Sequence, residues 1–386
     1  MLDKEQILYN LFQAYYDTRK YKRNTQSAVN FEMNYEQKLF ELREDLVNGT
    51  YTISPSICFI IQDPVQREVF AADFRDRIVH HLIYNYIYEL LDNHFIYDSY
   101  SCRVAKGTHF GIKRVEHFLR SCTRNYTRDT YILKLDIQGF FMGIDKTILF
   151  NKIQTYLSSK KEKLTVDYGF LIQLIHKVVF HDSTMGCIIK WLKANRNWLP
   201  DNKSLFHSWP DIWLAIGNLT SQLFANIYLD SLDKYIKYEL WFQYYGRYVD
   251  DFIIIDNDKQ KLLTAIPKIR KFLREKLHLT LHPKKIYFQH YNKWVQFLWV
   301  YIKPYRTYIR RRTLGNFYKR VFSLNKVVVY NETSLSIINS YLWLLQHFRT
   351  YKVRSKILWI LYPDFWKCFS IEKWIKKLSF TSKDPR

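Results

Sequence analysis

The ten residues Gly246-Arg-Tyr-Val-Asp-Asp-Phe-Ile-Ile-Ile255 constrain this chain more than any other stretch. Phe252 to Ile255 are aromatic or β-branched without a polar break, the pattern of a buried strand. Tyr244 to Val249 reads as a second strand a residue or two away. The spacing therefore predicts a β-hairpin with Asp250 and Asp251 at its tip. Carboxylates that close raise each other's pKa unless a cation lies between them. The pair is either a solvated turn, where Asp is common, or part of a divalent-metal site that draws a further carboxylate from elsewhere.

A length of 386 residues allows two or three domains or one multi-lobed enzyme. A hydrophobic content of 48% supplies ample core, and only 10 Gly and 9 Pro exclude a low-complexity chain. The formal net charge of +23 arises from 59 Lys and Arg against 36 Asp and Glu, spread along the sequence. Dispersed cations among many aromatics suit a long nucleic-acid-binding surface, where rings stack on bases and cations neutralise phosphates. The bland alternative is a basic soluble protein. The cysteines (Cys58, Cys102, Cys122, Cys187, Cys368) are odd in number and form no C-x-x-C pair. That argues against a disulfide framework or structural zinc and for a reducing compartment. The N-terminus MLDKEQILYNLF lacks the pattern of a signal peptide, and no apolar run is long enough to cross a bilayer. A cytoplasmic protein with no membrane partner is expected.

Helical spacing appears over Asp3–Arg19, Asn34–Val47, Asp73–Leu91 and Thr108–Leu119, with Asp73 a plausible cap. Ile57–Ile61 and Arg67–Phe70 read as strands joined at Asp63-Pro64. Helical patterns flank Ser158–Lys163. Met185–Trp213 loses periodicity and reads as an irregular surface insertion. A helix follows from about Leu219 to Leu240, and Lys259–Lys276 is a basic amphipathic helix with a kink expected at Pro267. Trp294–Ile302 reads as one strand ended by Lys303-Pro304. Arg310–Arg386 is helical, basic and Trp-rich, with no chemical motif.

Tyr131-Ile-Leu-Lys-Leu-Asp136 is a strand that ends in an acid, followed by Ile-Gln-Gly-Phe-Phe. The acid either punctuates packing or supplies the missing carboxylate beside the hairpin. Three carboxylates on neighbouring strands can hold two Mg²⁺ ions for an in-line phosphoryl transfer.

LKLDIQGFF, then IGNLTSQ at Ile216–Gln222, then YVDD at Tyr248–Asp251 resemble the palm motifs of reverse transcriptases in their usual order. LHPKK at Leu281–Lys285 and FLWVYIKP at Phe297–Pro304 resemble the motifs that follow. REVFAADFRDRIVHHL resembles the fingers, and SYSCRVAKGTH the segment between fingers and palm. The resemblance runs from about Ile57 to Pro304. It implies an α+β right-hand polymerase: N-terminal helices and fingers at 1–130, an antiparallel-sheet palm at 131–304 and a basic helical thumb at 305–386. IGNLTSQ has Ile-Gly and Ser-Gln where most of the family carries Gln-Gly and Ser-Pro. In this it resembles the reverse transcriptases of diversity-generating retroelements, which copy a template RNA into cDNA with errors at template adenines. The resemblance thus implies template RNA, cDNA or primer, dNTPs and a small basic accessory protein as partners. Another prokaryotic reverse transcriptase, of a group II intron or a phage-defence system, is the nearest rival, and a non-catalytic RNA-binding scaffold is the rival from another class.

By the same resemblance Asp136, Asp250 and Asp251 are the catalytic metal ligands, helped by the Ile137 carbonyl, for two Mg²⁺ or Mn²⁺ ions. Phe141 falls at an aromatic steric gate, whose ring would clash with a ribose 2′-hydroxyl. Arg67 corresponds to a fingers arginine that contacts the incoming triphosphate, and Gln62 stands where some relatives carry a lysine. Gly217, Asn218, Ser221 and Gln222 would line the template–nucleotide pocket, Asn218 alternatively serving as a helix cap. Lys284 or Lys285 would protonate the pyrophosphate, with Lys285 counted among the nucleotide-binding residues, or the two form only a solvated pair. Trp299 stands where relatives often have Gly. Arg75 and Arg77 either contact template RNA or pair with Asp73 and Asp76.

Overall fold

The computed structural model describes residues 3–20, 25–61, 66–190, 199–326, 330–372 and 375–380. Gln62, the Asp63-Pro64 turn and residues 191–198 of the expected insertion lie outside the described residues. The chain divides into two compact units, one of Met1–Gly107 with Leu133–Tyr287, the other of Thr108–Ile132 with Phe288–Arg386.

In the first unit, Asp caps set the helix starts. Asp3 accepts hydrogen bonds from the Glu5 and Gln6 amides at the head of Lys4–Arg19, and Asp73 accepts from the Arg75 amide at the head of Phe74–Asp92. Helices Lys146–Ser158, Tyr168–Phe180 and Lys259–Leu277 open in the same way on Asp145, Asp167 and Asp258. The last of these continues as one helix across Pro267.

The strands of this unit are β1 (Ile57–Ile61), β2 (Arg67–Ala71), β3 (Tyr131–Asp136), β4 (Ile188–Ile189), β5 (Tyr244–Tyr248) and β6 (Asp251–Asp256). β1 pairs antiparallel with β2 and parallel with β4. A second sheet sets β5, β6 and β3 side by side. Phe252, Ile253, Ile254 and Ile255 of β6 are all fully buried, which explains the unbroken apolar run. Burying each such side chain contributes roughly 1.5–3 kcal/mol.

Met185–Trp213 is not wholly a surface insertion. Leu205 and Trp213 are buried in a cluster with Cys58, Phe70 and Ala215. Ser204 Oγ and the Leu205 amide both donate to the carboxylate of Glu68, itself buried in β2. These contacts are long-range and have no period, so no local pattern announced them. The helix expected to reach Leu240 runs from Leu219 to Lys234 and closes in a π-turn over Tyr235–Glu239.

The second unit contains helix Thr108–Cys122 and the strands β7 (Tyr287–His290), β8 (Val295–Phe297), β9 (Val300–Lys303), β10 (Arg306–Ile309), β11 (Phe369–Glu372) and β12 (Lys377–Phe380). The single strand expected over Trp294–Ile302 is a hairpin, with β8 and β9 antiparallel and Phe297 opposite Val300. Its buried residues, Val295 and Phe297, then Val300 and Ile302, alternate within each arm but change phase between them. Leu298 takes a left-handed φ of 55° at the reversal, and Trp299 sits in the same turn. The C-terminal part is helical as expected, with Arg311–Leu324 and Glu332–Gln346 packed through Phe317, Val321, Ile338 and Leu342. It departs from all-helix at the end, where β11 and β12 pair antiparallel.

No helix among the described residues is long and apolar enough to cross a membrane.

Candidate active site

β5 and β6 are joined by only Val249 and Asp250, because Tyr248 already pairs with Asp251. The tip of the hairpin is therefore Val249-Asp250, and Asp251 belongs to the strand. A two-residue hairpin turn needs a positive φ at its first residue, a place usually taken by Gly. Here Val249 takes it, at φ 55°. A β-branched residue in that region costs on the order of 1–3 kcal/mol and persists only where its surroundings hold it.

Two hydrogen bonds hold it. Arg247 Nη1 donates to the Val249 carbonyl at 2.9 Å, and the Ile137 amide donates to the Asp250 carbonyl at 3.2 Å. The second bond ties the turn to the end of β3, next to Asp136. Arg247 is 1% exposed. Its Nε and Nη2 donate to the two carboxylate oxygens of Asp233 at 2.7 and 2.6 Å. Tyr245 Oη donates to Asp233 at 2.5 Å. Burial opposes the charge on Arg247, but Asp233 outweighs it and pushes the guanidinium pKa up. An ion pair thus sits beneath the turn, anchored in helix Leu219–Lys234.

Asp136 ends β3, and its carbonyl accepts from the His282 amide at 2.9 Å. Both of its carboxylate oxygens accept from Lys285 Nζ at 3.0 Å. Of the Lys pair in LHPKK, Lys285 is therefore the one at the acids, while the Lys284 amide donates to His282 Nδ1. Burial and then repulsion from Asp136 raise the Asp250 carboxyl above its ordinary value, against the opposing charges of Lys285 and Arg67. Arg67, exposed at the start of β2, thus acts electrostatically on the same acid. Asp251 faces a different cation, with Lys134 Nζ 3.0 Å from Oδ2. Burial pushes the Asp251 carboxyl up to about 6 although Lys134 opposes the shift. Its Oδ1 is buried without a hydrogen-bond partner.

Among the described residues no three His, Cys, Asp or Glu side chains form a ready metal cage. The donors present still suit a hard cation. Asp136 and Asp250 supply oxygen alone, and Asp251 carries an orphaned buried oxygen. Mg²⁺ characteristically binds one or two carboxylates and completes its shell with water and substrate phosphates.

The motif Ile216–Gln222 is fastened to β2. The Phe70 amide donates to the Ile216 carbonyl at 2.9 Å, and the Ala72 amide donates to Asn218 Oδ1 at 3.0 Å. Asn218 stands at the N-cap position without capping the helix through its side chain. Gly217 has φ 133°, and a Cβ there would lie 2.8 Å from the Phe70 carbonyl oxygen. The close approach that the glycine permits is to β2. Gly217→Ala should lower unfolding free energy by about 2 kcal/mol, from strain and overlap together; urea denaturation would measure it, and an unchanged midpoint would refute the packing account.

Ser221 is buried and borders a small, partly enclosed cavity of about 20 Å³ with His80 and Thr220. Gln222, in the first helical turn, is exposed, and its Oε1 accepts from the Cys102 thiol at 3.2 Å. Cys102 itself has φ 54°. Phe140 is buried at 2%, whereas Phe141 is half-buried, its carbonyl accepting from the Leu214 amide at 2.8 Å. Ile137 is buried beside Leu281, with which it forms an antiparallel bridge. Arg75 pairs with Asp45 at 2.5 Å and approaches Asp76 at 3.7 Å, and Arg77 donates to the Ala72 carbonyl. Intramolecular partners therefore occupy both arginines.

The sequence pattern assigned no role in the site to Arg247, Asp233, Lys134 or Cys102. Arg247 carried a signal, because a charge at every-other-residue spacing from Tyr245 in a buried strand demands a counter-ion. Nothing local named Asp233 as that partner.

A profile of the reverse transcriptase (RNA-dependent DNA polymerase) family matches residues 66–302. A comparison with curated proteins found no match. Similar solved structures include telomerase from Candida albicans in complex with a TWJ fragment of telomeric RNA, at 12% identity and TM-score 0.47, covering 84% of this chain and 61% of that one. Apo telomerase from Candida tropicalis is 13% identical with TM-score 0.49 over the same shares. The chain spans about three fifths of the length of these telomerases. The fold class is α+β, of the right-hand polymerase kind. With more than half of its residues matched, the chain belongs to the reverse transcriptase family.

Proposed function

We propose that the chain is an RNA-directed DNA polymerase that extends a primer on a template RNA, and that it serves a diversity-generating retroelement. The observation that carries the first part is the meeting of Asp136 and Asp250 at adjacent strand ends, with Lys285 on one acid and the charge of Arg67 acting on the other. Asp136 and Asp250, with the Ile137 carbonyl, would hold Mg²⁺ or Mn²⁺, which supplies charge stabilisation to the attacking and leaving oxygens. Asp251 supports from β6 through Lys134. Lys285 would donate a proton to departing pyrophosphate, and Arg67 would grip the triphosphate. The fingers, palm and thumb follow the divisions 1–130, 131–304 and 305–386. Primer extension on an RNA template with dNTPs is the direct test; a purified chain that binds RNA and never extends would be the scaffold instead.

Phe141 would lie beneath the sugar of the incoming nucleotide. Phe141→Ala should raise the use of ATP relative to dATP by about tenfold, the scale of one lost steric or apolar contact. Unchanged discrimination would return Phe141 to packing alone.

The retroelement assignment rests on IGNLTSQ, where exposed Gln222 stands in place of a rigid Pro. Every 1.4 kcal/mol of transition-state difference is about tenfold in selectivity. A flexible amide held by Cys102 would keep a templating adenine where the correct nucleotide adds slowly. Gln222→Pro and Ile216→Gln should each raise dTTP insertion opposite adenine over wrong nucleotides by about tenfold. Single-nucleotide insertion kinetics opposite template A and template C check this. A wild type no more error-prone at A than at C would favour the group II intron or phage-defence reading. The small basic accessory protein belongs to the retroelement reading and stands or falls with it.

A further inference from the structure

Helix Thr108–Cys122 buries Ile112, Val115, Phe118 and Leu119, which leaves Lys113, His117 and Arg120 exposed on the opposite face. That spacing of four and then three residues places them in one row. The row forms one wall of a cleft of about 500 Å³, and the wall facing it comes from the β9–β10 turn and the stretch 347–349. Lys303 and Arg306 enter from the turn and Arg349 from the stretch. The cleft therefore gathers Lys113, Arg120, Lys303, Arg306 and Arg349 against one acid, Glu116. Glu116 is already engaged, since Thr307 Oγ1 donates to it. Among the described residues no ion pair joins any of the five cations to a carboxylate.

Five cations held near one another repel, and an isolated protein gains nothing from the arrangement. A polyanion relieves the cost. The rings of the cleft narrow the choice of polyanion. Tyr305 is 79% exposed at φ 62°, a strained position for a bulky residue. It is held there with its ring 4.5 Å from that of Tyr126 and its hydroxyl donating to the Asn125 carbonyl. An aromatic fixed in solvent amid cations offers a stacking face to an unpaired base, which a paired duplex does not present and an acidic peptide does not need.

We propose that this cleft of the second unit is a binding site for a single-stranded segment of the template RNA, separate from the residues that hold the strand being copied. The choice of template RNA as occupant rests on the polymerase reading above; the charge and ring geometry stand without it. None of the cleft residues belongs to the candidate active site. RNA phosphates lie against Lys113, Arg306 and Arg349, and a base stacks on Tyr305. The site would retain the template through a segment that is not being copied.

The test uses the full chain, saturated with a short self-priming RNA–DNA hairpin so that the extension path is filled. A labelled 30-nucleotide oligouridylate and its DNA counterpart are then titrated at several salt concentrations. The combined Lys113→Glu, Arg306→Glu and Arg349→Glu protein should bind the RNA at least tenfold more weakly. The slope of log affinity on log salt should fall by about 2, since each lost phosphate contact on a single strand contributes about 0.7. Tyr305→Ala should weaken RNA binding about tenfold with little change in slope, because a stack carries no counterion. Both proteins should extend the hairpin as wild type does, which also reports that they are folded. Unchanged RNA affinity and slope would overturn the proposal. So would a parallel loss of hairpin extension, which would place these residues on the copying path. Displacement of RNA by polyglutamate with no effect of Tyr305→Ala would make the occupant an acidic protein and overturn it too. Binding of the DNA oligonucleotide more tightly than the RNA would overturn the choice of template RNA. A wild type that binds the RNA and fails to extend the hairpin would instead refute the polymerase reading and leave the cleft intact.

Discussion

Asp136→Asn or Asp250→Asn should reduce primer extension more than a thousandfold while leaving RNA affinity within a few fold. Both substitutions keep the side-chain volume and one acceptor oxygen, and they remove the negative charge at the strand ends together with one of the two acceptors that Lys285 uses on Asp136. Residues that act as one catalytic unit lose nearly all of its effect when any member is lost. RNA affinity comes instead from cations on phosphates, which the substitutions leave in place. The folded state should tolerate the change, because repulsion from Asp136 is one reason that the Asp250 carboxyl is raised. Removing one of two like charges relieves that repulsion, so the thermal midpoint should hold or rise. Asp251→Asn should be milder, since Asp251 pairs with Lys134. Extension by wild type should stop on chelation of divalent ions and return when Mg²⁺ is added. A fully active Asp136→Asn or Asp250→Asn protein would dismiss the site.

What could be read in advance follows a physical division. Helices with an Asp at the cap and an apolar stripe, such as Phe74–Asp92, announce themselves because their start signal and period lie within a few residues of one another. The run Phe252–Ile255 did so too, as a strand with no polar face. The hairpin β8–β9 was read as one strand because an alternation that changes phase over two residues resembles a single apolar run. The β11–β12 pair, with Ile371 opposite Leu378, went unseen in a basic, Trp-rich segment. Leu205 and Trp213 failed to announce their burial because their partners, Cys58 and Phe70, lie more than a hundred residues away.

The candidate site divides in the same way. Asp136, Asp250 and Lys285 were legible as residue types at strand ends, and the geometry brings them together. Their supports were not legible. Lys134 shares a strand face with Asp136 two residues on, yet it meets Asp251 only through the β3–β6 pairing. The thiol that engages Gln222 comes from Cys102, 120 residues away in sequence and with no local pattern that links the two.

Arg247→Met should cost about 3–5 kcal/mol of stability, the scale for breaking a buried ion pair from one side. Asp233 is 0% exposed and would keep only the Tyr245 hydroxyl against its charge. Asp233→Leu should cost a similar amount, because it strands the guanidinium in the same place. The double substitution, Arg247→Met with Asp233→Leu, should recover most of the loss, since no charge then remains buried and apolar volume fills the gap. Extension should not recover with it. The double variant still lacks the donor to the Val249 carbonyl, which restrains a β-branched residue at a left-handed φ directly before Asp250. Once released, that residue can relax toward its preferred region and carry the Asp250 carboxylate away from Asp136. Stability and activity should therefore separate in one protein. Urea denaturation and primer extension on wild type, both single variants and the double would measure this. A double variant that regains both would show that the ion pair only stabilises the fold. One whose stability loss is the sum of the two singles would show that the two residues do not act as a pair.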